Sequence, residues 1–153
     1  MDKITFMDHL TIFYADDDDD DREIFTEIIR SINPEIKVYT FNGGAQILSR
    51  IMTPPPVPDI IFLDLNMPGI DGYEVLQCIK NSDYSHIPVI IFSTSGDLNI
   101  IDKCKRLGAD YYASKPASFE DMRKCIAAIL EIDWTHFADS NLPFAFKTTC
   151  GQK

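Results

Sequence analysis

The chain has few basic residues and no long apolar run. Fourteen Lys and Arg residues stand against 24 Asp and Glu, which gives a formal net charge of −10 over 153 residues. Such an acidic protein argues against a nucleic-acid backbone or an anionic membrane as its main partner. No segment approaches the ~20 apolar residues that span a bilayer. The N-terminus also lacks the basic and apolar regions of a signal peptide.

Closely spaced cysteine pairs are absent as well, which argues against a disulfide scaffold or a cysteine-based metal site. The four cysteines show no CxxC spacing, and three of them, Cys78, Cys104 and Cys125, fall within helical patterns. We interpret them as reduced thiols and expect a cytoplasmic location. The composition, 45% hydrophobic and 25% charged, is typical of one soluble globular domain.

Short apolar runs bounded by turn signals predict five strands. They are residues 10–15, residues 36–40, Ile60–Leu63, Val89–Ser93 and Tyr111–Ser114. The segments between and after them carry amphipathic stripes that predict five helices, with Asp97 and Ser118 as N-caps of the last two. Five successive βα units predict a parallel sheet with right-handed crossovers and helices on both faces.

Chemically active side chains follow the predicted strands. They are Asp16 and Asp17 after the first, Asp64 after the third, Ser93 and Thr94 at the end of the fourth, and Lys115 after the fifth. The ligand crevice of an open parallel sheet lies at the carboxyl ends of its strands, so we expect these groups to converge. Three carboxylates suit Mg²⁺. One of them could then act as a nucleophile toward phosphorus, while Lys115 and a hydroxyl neutralise the phosphoryl oxygens.

The acidic pair belongs to a run of six aspartates, residues 16–21. Two unit charges ~4 Å apart repel by about 1 kcal/mol even in water, so the run needs compensation. We assign the first two aspartates to the metal, Asp18 to the N-cap of the first helix, and residues 19–21 to its first turn, where the helix dipole favours anions. A slip of one residue would make the metal pair Asp17 and Asp18, and the sequence leaves that alternative open.

Taken in order, these motifs resemble the response-regulator receiver domain of two-component signalling, as in bacterial chemotaxis receivers. The resemblance rests on the acidic pair, Asp64 within Leu-Asp-Leu-Asn-Met-Pro-Gly-Ile-Asp-Gly, Ser93-Thr94 and Lys115-Pro116, and covers about residues 10–132. It implies a flavodoxin-like, doubly wound, five-stranded parallel sheet of order 2-1-3-4-5 with five helices. We expect a receiver domain at residues 1–132 and an apolar tail at residues 133–153, without a separate output domain.

The resemblance also implies a role for each acidic position. Asp64 corresponds to the phosphoacceptor. Asp17 would bind Mg²⁺ directly, Asp16 mainly through water, and Asn66 through its backbone carbonyl. The implied cofactor is therefore Mg²⁺, held around the phosphoacceptor carboxylate.

A second set of residues corresponds to the family's switch. Ser93 is the switch hydroxyl, and Thr94 follows at a position usually filled by a small residue, where its bulk would limit access. Lys115 pairs with the phosphoryl group, and its bond to Pro116 is expected to be cis. Tyr112 matches the aromatic switch position, although Tyr111 would take its place after a one-residue slip.

The implied function is a phosphoacceptor switch rather than an enzyme. The phosphoryl group would come from a histidine kinase or phosphotransfer protein, and the surface of the fourth helix, fifth strand and fifth helix would change for a downstream target or a homodimer. One alternative is an interaction module that works without phosphorylation. Another is an aspartyl-nucleophile phosphatase similar to haloacid-dehalogenase-like hydrolases, which carry an aspartate as general acid where this chain has Asn66.

The tail is too apolar to remain in water without cost. Its large apolar residues are Trp134, Phe137, Leu142, Phe144 and Phe146. We expect part of it to pack on the domain or on a partner.

Overall fold

The computed structural model describes residues 9–137 and 140–146, as a sheet flanked by helices. The elements run β1 (Thr11–Ala15), α1 (Asp19–Ile32), β2 (Lys37–Phe41), α2 (Gly44–Ile51), β3 (Ile60–Leu63), α3 (Gly72–Lys80), β4 (Val89–Ser93), α4 (Leu98–Arg106), β5 (Tyr111–Ser114), α5 (Phe119–Leu130) and β6 (Ala145–Phe146). All strand pairs are parallel, in the order β2-β1-β3-β4-β5-β6. The flavodoxin-like fold and its five-strand order are confirmed, with β6 as an addition.

Each face of the sheet carries its own apolar core, because successive side chains of a strand point to opposite faces. Phe13 and Ala15 of β1 belong to the core that packs against α2, α3 and α4. Ile12 and Tyr14 of the same strand belong to the other core, against α1 and α5. Strands β3 and β4 are buried throughout, which explains their continuous apolar sequences. None of the helices in the described ranges is long and apolar enough to cross a membrane.

The helix starts follow the predicted caps. The Asp18 carboxylate accepts the backbone N–H groups of Asp20 and Asp21 at 2.8 and 3.1 Å, so Asp18 is the N-cap of α1. Asp97 and Ser118 cap α4 and α5 in the same way. These side chains satisfy amide groups that have no partner within their helix.

Part of the tail packs on the domain, as predicted, and within residues 133–137 and 140–146 it does so partly by extending the sheet, whereas Leu142 stays 55% exposed. The Phe144 carbonyl accepts the backbone N–H of Tyr112 at 3.0 Å, beside the parallel pairing of β5 with β6. Upstream, the rings of Trp134 and Phe137 lie 5.6 and 5.7 Å from the Tyr111 ring. The edge of β5 is therefore covered by the chain itself.

A lysine ties together several elements at the amino ends of the strands, opposite the predicted site. Lys80 Nζ donates to Asp110 Oδ2 at 2.7 Å and to the carbonyls of Ser85 and Ile87 at 3.0 Å each. The same Asp110 oxygen accepts the backbone N–H of Val89 at 2.8 Å. This network joins the end of α3 to the starts of β4 and β5.

We expect Lys80→Met to lower the free energy of unfolding by ~1–3 kcal/mol, because it removes the donor of two carbonyls and the charged partner of Asp110, which keeps the Val89 N–H. Urea denaturation measures the change. Arg106→Met is the matched control, since the Arg106–Asp102 pair is exposed, with side-chain exposures of 70% and 64%. It should change stability by at most ~0.5 kcal/mol. Equal losses in the two variants would contradict the structural role of Lys80.

Candidate functional site

Three carboxylates meet at the carboxyl ends of β1 and β3. Ala15 and Leu63, the last residues of these strands, are register partners, so Asp16 and Asp64 follow side by side. One oxygen each from Asp16, Asp17 and Asp64 can be chosen so that all three lie within 4.8 Å of one another. Asp16 and Asp64 are buried and Asp17 is exposed. A cluster of oxygen donors open to solvent on one side fits a hard, partly hydrated cation such as Mg²⁺.

The carboxylate cluster contains Asp16 and Asp17, whereas Asp18 has another partner. The Asp18 carboxylate accepts amide groups at the start of α1. Asp16 is instead held toward the site, because its Oδ1 accepts the backbone N–H of Asp18 at 3.0 Å. Its own carbonyl accepts Arg22 Nη1 at 2.6 Å. The geometry therefore brings Asp16 and Asp17 together with Asp64, and their role as metal ligands stays a prediction.

Lys115 brings the positive charge of the site. Its Nζ lies 2.5 Å from Asp16 Oδ2, 3.1 Å from Asp21 Oδ2 and 3.8 Å from Asp64 Oδ1. Burial acts to lower the pKa of Lys115, but the hydrogen bond to Asp16 and the charges of Asp64 and Asp16 raise it overall. The backbone N–H of Lys115 donates to the Ser93 carbonyl at 2.7 Å, which holds the main chain of the lysine beside the end of β4. The contact with Asp21, assigned from sequence only to the helix dipole, was not predicted.

Asp64 lies in a less favourable setting for a charge. Burial raises its pKa, the positive charge of Lys115 lowers it, and the negative charge of Asp16 raises it again, with a net result of about 6. Its Oδ1 accepts the backbone N–H of Leu65 at 3.0 Å. Asp64 is thus a carboxylate whose charge is only partly compensated in the protein alone.

The predicted switch residues lie where β4 and β5 end. Ser93 is fully buried, and its hydroxyl makes no hydrogen bond of good geometry within residues 9–137 and 140–146. It lies close enough to the Tyr112 hydroxyl to oppose the rise that burial causes in the pKa of that phenol. Tyr112 donates its hydroxyl to the carbonyl of Ser95 at 2.7 Å, and Ser114 donates to the same carbonyl at 3.0 Å. Tyr111 points to the opposite face of the sheet. Tyr112 is therefore the tyrosine that reaches the β4–α4 loop, and its switching role stays a prediction.

The remaining predicted residues flank the site. Asn66 and Thr94 are exposed, in the loops that follow β3 and β4. The expected cis bond between Lys115 and Pro116 is wrong: within the described part of the chain, the cis bonds are those preceding Pro55 and Pro56. A trans X–Pro bond is favoured by only about 0.5–1 kcal/mol, so the local sequence does not fix the isomer. With the trans bond, the lysine ammonium still reaches the carboxylates.

Two residues of the site were missed from sequence. Tyr14 donates its hydroxyl to Asp16 Oδ2 at 2.5 Å; the signal was its position two residues before Asp16, on the same face of β1. Burial and the charge of Asp16 raise the pKa of Tyr14 far above its usual value, so the phenol stays a donor. Gly72 lies so close to the β3–α3 loop that a Cβ there would come within 2.3 Å of the Asp64 carbonyl. A side chain at that position would displace the Asp64 backbone.

We expect Asp64→Asn to stabilise the metal-free protein at neutral pH. Because the pKa of Asp64 rises from 3.8 to about 6 on folding, the folded state holds the proton more tightly, and that stabilisation is lost as the pH rises through about 6. The free energy of unfolding of the variant should exceed that of the parent by ~1–3 kcal/mol near pH 7.5 and should equal it near pH 4. Thermal and urea unfolding against pH check this, with exposed Asp83→Asn as control. A gain that is independent of pH would contradict the cause.

Ser93→Ala should leave the unmodified protein equally stable or more stable by about 1 kcal/mol, since it removes a buried hydroxyl without a partner. Ser114→Ala is the matched control, because it removes a hydroxyl that donates to the Ser95 carbonyl. The free energy of unfolding of Ser114→Ala should fall by about 1 kcal/mol. Urea denaturation of both proteins gives the two values. A clear destabilisation by Ser93→Ala would mean that its hydroxyl is paired.

The sequence matches known proteins over most of its length. Residues 12–127 match the family model of the response regulator receiver domain. Protein PilG of Pseudomonas aeruginosa is 32% identical over 122 residues, 79% of this chain and 87% of that protein. Sporulation initiation phosphotransferase F of Bacillus subtilis is 36% identical over 75 residues, 49% of this chain and 60% of that protein. The two-component response regulator ARR6 of Arabidopsis thaliana is 32% identical over 83 residues, which are 54% of this chain and 45% of that protein. The chain thus spans less than two thirds of the latter two relatives.

Solved structures agree with the sequence matches. The phosphorylated cyanobacterial phytochrome response regulator RcpA superposes with a TM-score of 0.76 at 28% identity, covering 88% of this chain and 99% of that one. Response regulator RPA3017 in red light signaling of R. palustris superposes with a TM-score of 0.73 at 27% identity, covering 90% of this chain and 99% of that one. These likenesses agree with the flavodoxin-like fold of the chain. The chain belongs to the response regulator receiver domain family.

Proposed function

We propose that this receiver domain is a phosphoacceptor switch in which Asp64 takes a phosphoryl group from a histidine kinase or phosphotransfer protein. One observation carries the proposal. The buried Asp64 carboxylate shares its site with Asp16 and Asp17 and lies 3.8 Å from Lys115 Nζ. A nucleophile, a set of oxygen ligands and a cation within one site are the parts that phosphoryl transfer requires.

The transfer forms one bond and breaks another. A carboxylate oxygen of Asp64 bonds to phosphorus while the phosphorus–nitrogen bond to the donor histidine breaks, and the electron pair of that bond remains on the histidine nitrogen. The carboxylates of Asp16, Asp17 and Asp64 and the carbonyl of Asn66 would hold Mg²⁺. When bound, Mg²⁺ supplies positive charge that offsets the charge on the phosphoryl oxygens. Lys115 offsets the charge of another oxygen.

The ion pairs of Lys115 in the unphosphorylated protein are the contacts that phosphorylation of Asp64 would change. Lys115 Nζ is hydrogen-bonded to Asp16 and Asp21, and Asp64 lies at the longer distance of 3.8 Å. A phosphoryl group on Asp64 adds negative charge at that third position. The ammonium then moves from its two present partners toward the new anion. In this proposal Lys115 responds directly to phosphorylation.

The buried hydroxyl of Ser93 supplies the next step. An unpaired buried hydroxyl costs about 1–3 kcal/mol, so a phosphoryl oxygen that accepts from it favours the state in which Ser93 has moved inward. Ser95, two residues on, holds the Tyr112 hydroxyl, and a shift of this segment displaces that contact. The phosphoryl group thereby shifts an existing equilibrium, by as much as it interacts differently with the two states.

The output surface in this proposal is formed by α4, β5 and α5, together with the tail. Residues 1–132 form the receiver unit, and residues 133–153 contribute β6, which lies along the edge of β5. The partner would be a downstream protein or a second copy of the chain, in the cytoplasm. The net charge of −10 supports a protein partner over nucleic acid or an anionic membrane.

The test is labelling by acetyl phosphate, a small phosphodonor, followed by intact-mass spectrometry. The parent protein should gain one phosphoryl group only when Mg²⁺ is present. Asp64→Asn should gain none, because its amide is not a nucleophile toward phosphorus. Exposed Asp83→Asn is the matched control and should label like the parent. Equal labelling of Asp64→Asn and the parent would refute the assignment.

Two other outcomes identify the alternative functions. Steady turnover of a phosphomonoester after a burst would indicate an aspartyl phosphatase. Failure to bind beryllofluoride, a mimic of the phosphoryl group, in the presence of Mg²⁺ would indicate an interaction module that works without phosphorylation. The second result would also overturn the proposed switch.

A further inference from the structure

The Asp16 carboxylate has more donors than its metal role requires. Its Oδ2 accepts from the Tyr14 hydroxyl and from Lys115 Nζ, each at 2.5 Å, and its Oδ1 accepts the backbone N–H of Asp18 at 3.0 Å. Asp16 is only 1% exposed, so water does not replace any of these donors easily. Two of the three donors belong to neighbouring residues of the chain rather than to Lys115.

The core holds the Tyr14 hydroxyl in this position. Its ring stacks on Phe25 of α1, with the centroids 4.2 Å apart and the planes at 30°. The ring of Phe92 meets it edge-on at 6.1 Å. Phe92 also lies beneath the lysine, with Lys115 Nζ 5.9 Å from its ring centroid. A fully buried ring between two aromatic neighbours has little freedom to turn its hydroxyl away.

We propose that Tyr14 is a positioning residue, whose hydroxyl keeps Asp16 oriented and hydrogen-bonded when Lys115 leaves it for the phosphoryl group on Asp64. The inference rests on the proposed phosphoacceptor function and adds to it a residue outside the motifs that the sequence analysis identified. Tyr14 acts through Asp16 and is not itself in contact with Asp64 in the described geometry.

To reach a phosphoryl group on Asp64, Lys115 must give up its contact with Asp16. Lys115 lies 2.5 Å from Asp16 and 3.8 Å from Asp64, so its movement to a phosphoryl group weakens the Asp16 contact. A buried carboxylate that loses its partner is strongly destabilised. The phenol on the same oxygen reduces that penalty. Being neutral, it does so without adding a positive charge that would repel Mg²⁺.

The ordinary alternative is that Tyr14 is a core residue whose hydroxyl simply meets the nearest acceptor. The two explanations differ in what the hydroxyl controls. Tyr14→Phe keeps every ring contact and removes only the donor, so a core role predicts no change in ligand binding. A positioning role predicts that Lys115 becomes bound more tightly to Asp16 and less available to the phosphoryl group.

We therefore expect Tyr14→Phe to separate two affinities. With Mg²⁺ saturating, beryllofluoride should bind the full chain about tenfold more weakly, in line with a hydrogen bond to a charged group. The affinity for Mg²⁺ alone should be unchanged or up to about threefold tighter, because Asp16 keeps more of its negative charge. Calorimetry measures the Mg²⁺ affinity, and fluorine NMR measures beryllofluoride binding.

The control and a double-mutant cycle complete the test. Tyr111→Phe removes the hydroxyl of another buried tyrosine and should leave both affinities unchanged. In an Asp16→Asn background, Tyr14→Phe should have no further effect on beryllofluoride binding, since the interaction is already broken. Thermal unfolding of each variant verifies the fold.

The possible failures are distinct. If the parent binds beryllofluoride and Tyr14→Phe binds it equally well, the positioning role is wrong and the phosphoacceptor function stands. The same holds if Tyr14→Phe weakens binding equally in the Asp16→Asn background, because the effect then does not pass through Asp16. If the parent itself fails to bind, the proposed function is overturned and this inference with it.

Discussion

The shortage of positive charge around Lys115 is the constraint on which the site depends. Its ammonium is hydrogen-bonded to Asp16 and Asp21 and lies 3.8 Å from Asp64, while Asp17 completes the carboxylate cluster. One cation cannot balance several carboxylates where water is partly excluded. Burial raises the pKa of Asp64, Lys115 lowers it only in part, and the charge of Asp16 raises it further. A divalent cation relieves the same repulsion, which is why an acidic cluster of this kind supports the proposed Mg²⁺ site.

Lysine and aspartate side chains have different roles at the two edges of the sheet. At the amino ends of the strands, Lys80 and Asp110 pair with each other and with backbone groups, so donors and acceptors are matched. At the carboxyl ends, carboxylates outnumber the ammonium and the Ser93 hydroxyl is without a partner in the described residues. A matched network stabilises the fold. The proposed Mg²⁺ would supply the positive charge that the unmatched site lacks, and the proposed phosphoryl group would supply an acceptor for the Ser93 hydroxyl.

The parts of this arrangement that local sequence determines were predicted correctly. Strand ends and helix caps depend on a few adjacent residues, so the convergence of Asp16, Asp64 and Lys115 and the cap at Asp18 followed from patterns along the chain. Parallel pairing then brought distant strand ends together by topology alone. The order of the strands followed from the family resemblance rather than from the residues themselves.

What sequence could not determine depends on contacts between distant segments or on small energy differences. The hydroxyl of Tyr14 is directed to Asp16 by the ring of Phe25, which no periodicity encodes. Strand β6 has two residues and pairs with β5 more than 30 positions earlier, too short for an alternation to be detected. The choice between Tyr111 and Tyr112 turned on a one-residue register.

The backbone and side chain of Tyr112 connect the site to the tail. The side chain donates to the carbonyl of Ser95 in the loop that follows Ser93, and the backbone N–H donates to the carbonyl of Phe144. A change in the β4–α4 loop therefore acts on a residue whose main chain holds the tail against the sheet. Because β6 covers the edge of β5, a protein that recognised the proposed output surface would contact the tail as well as α4 and α5. The apolar sequence of the tail follows from this packing, because Phe144 lies against the core on one face of the sheet and Phe146 against the core on the other.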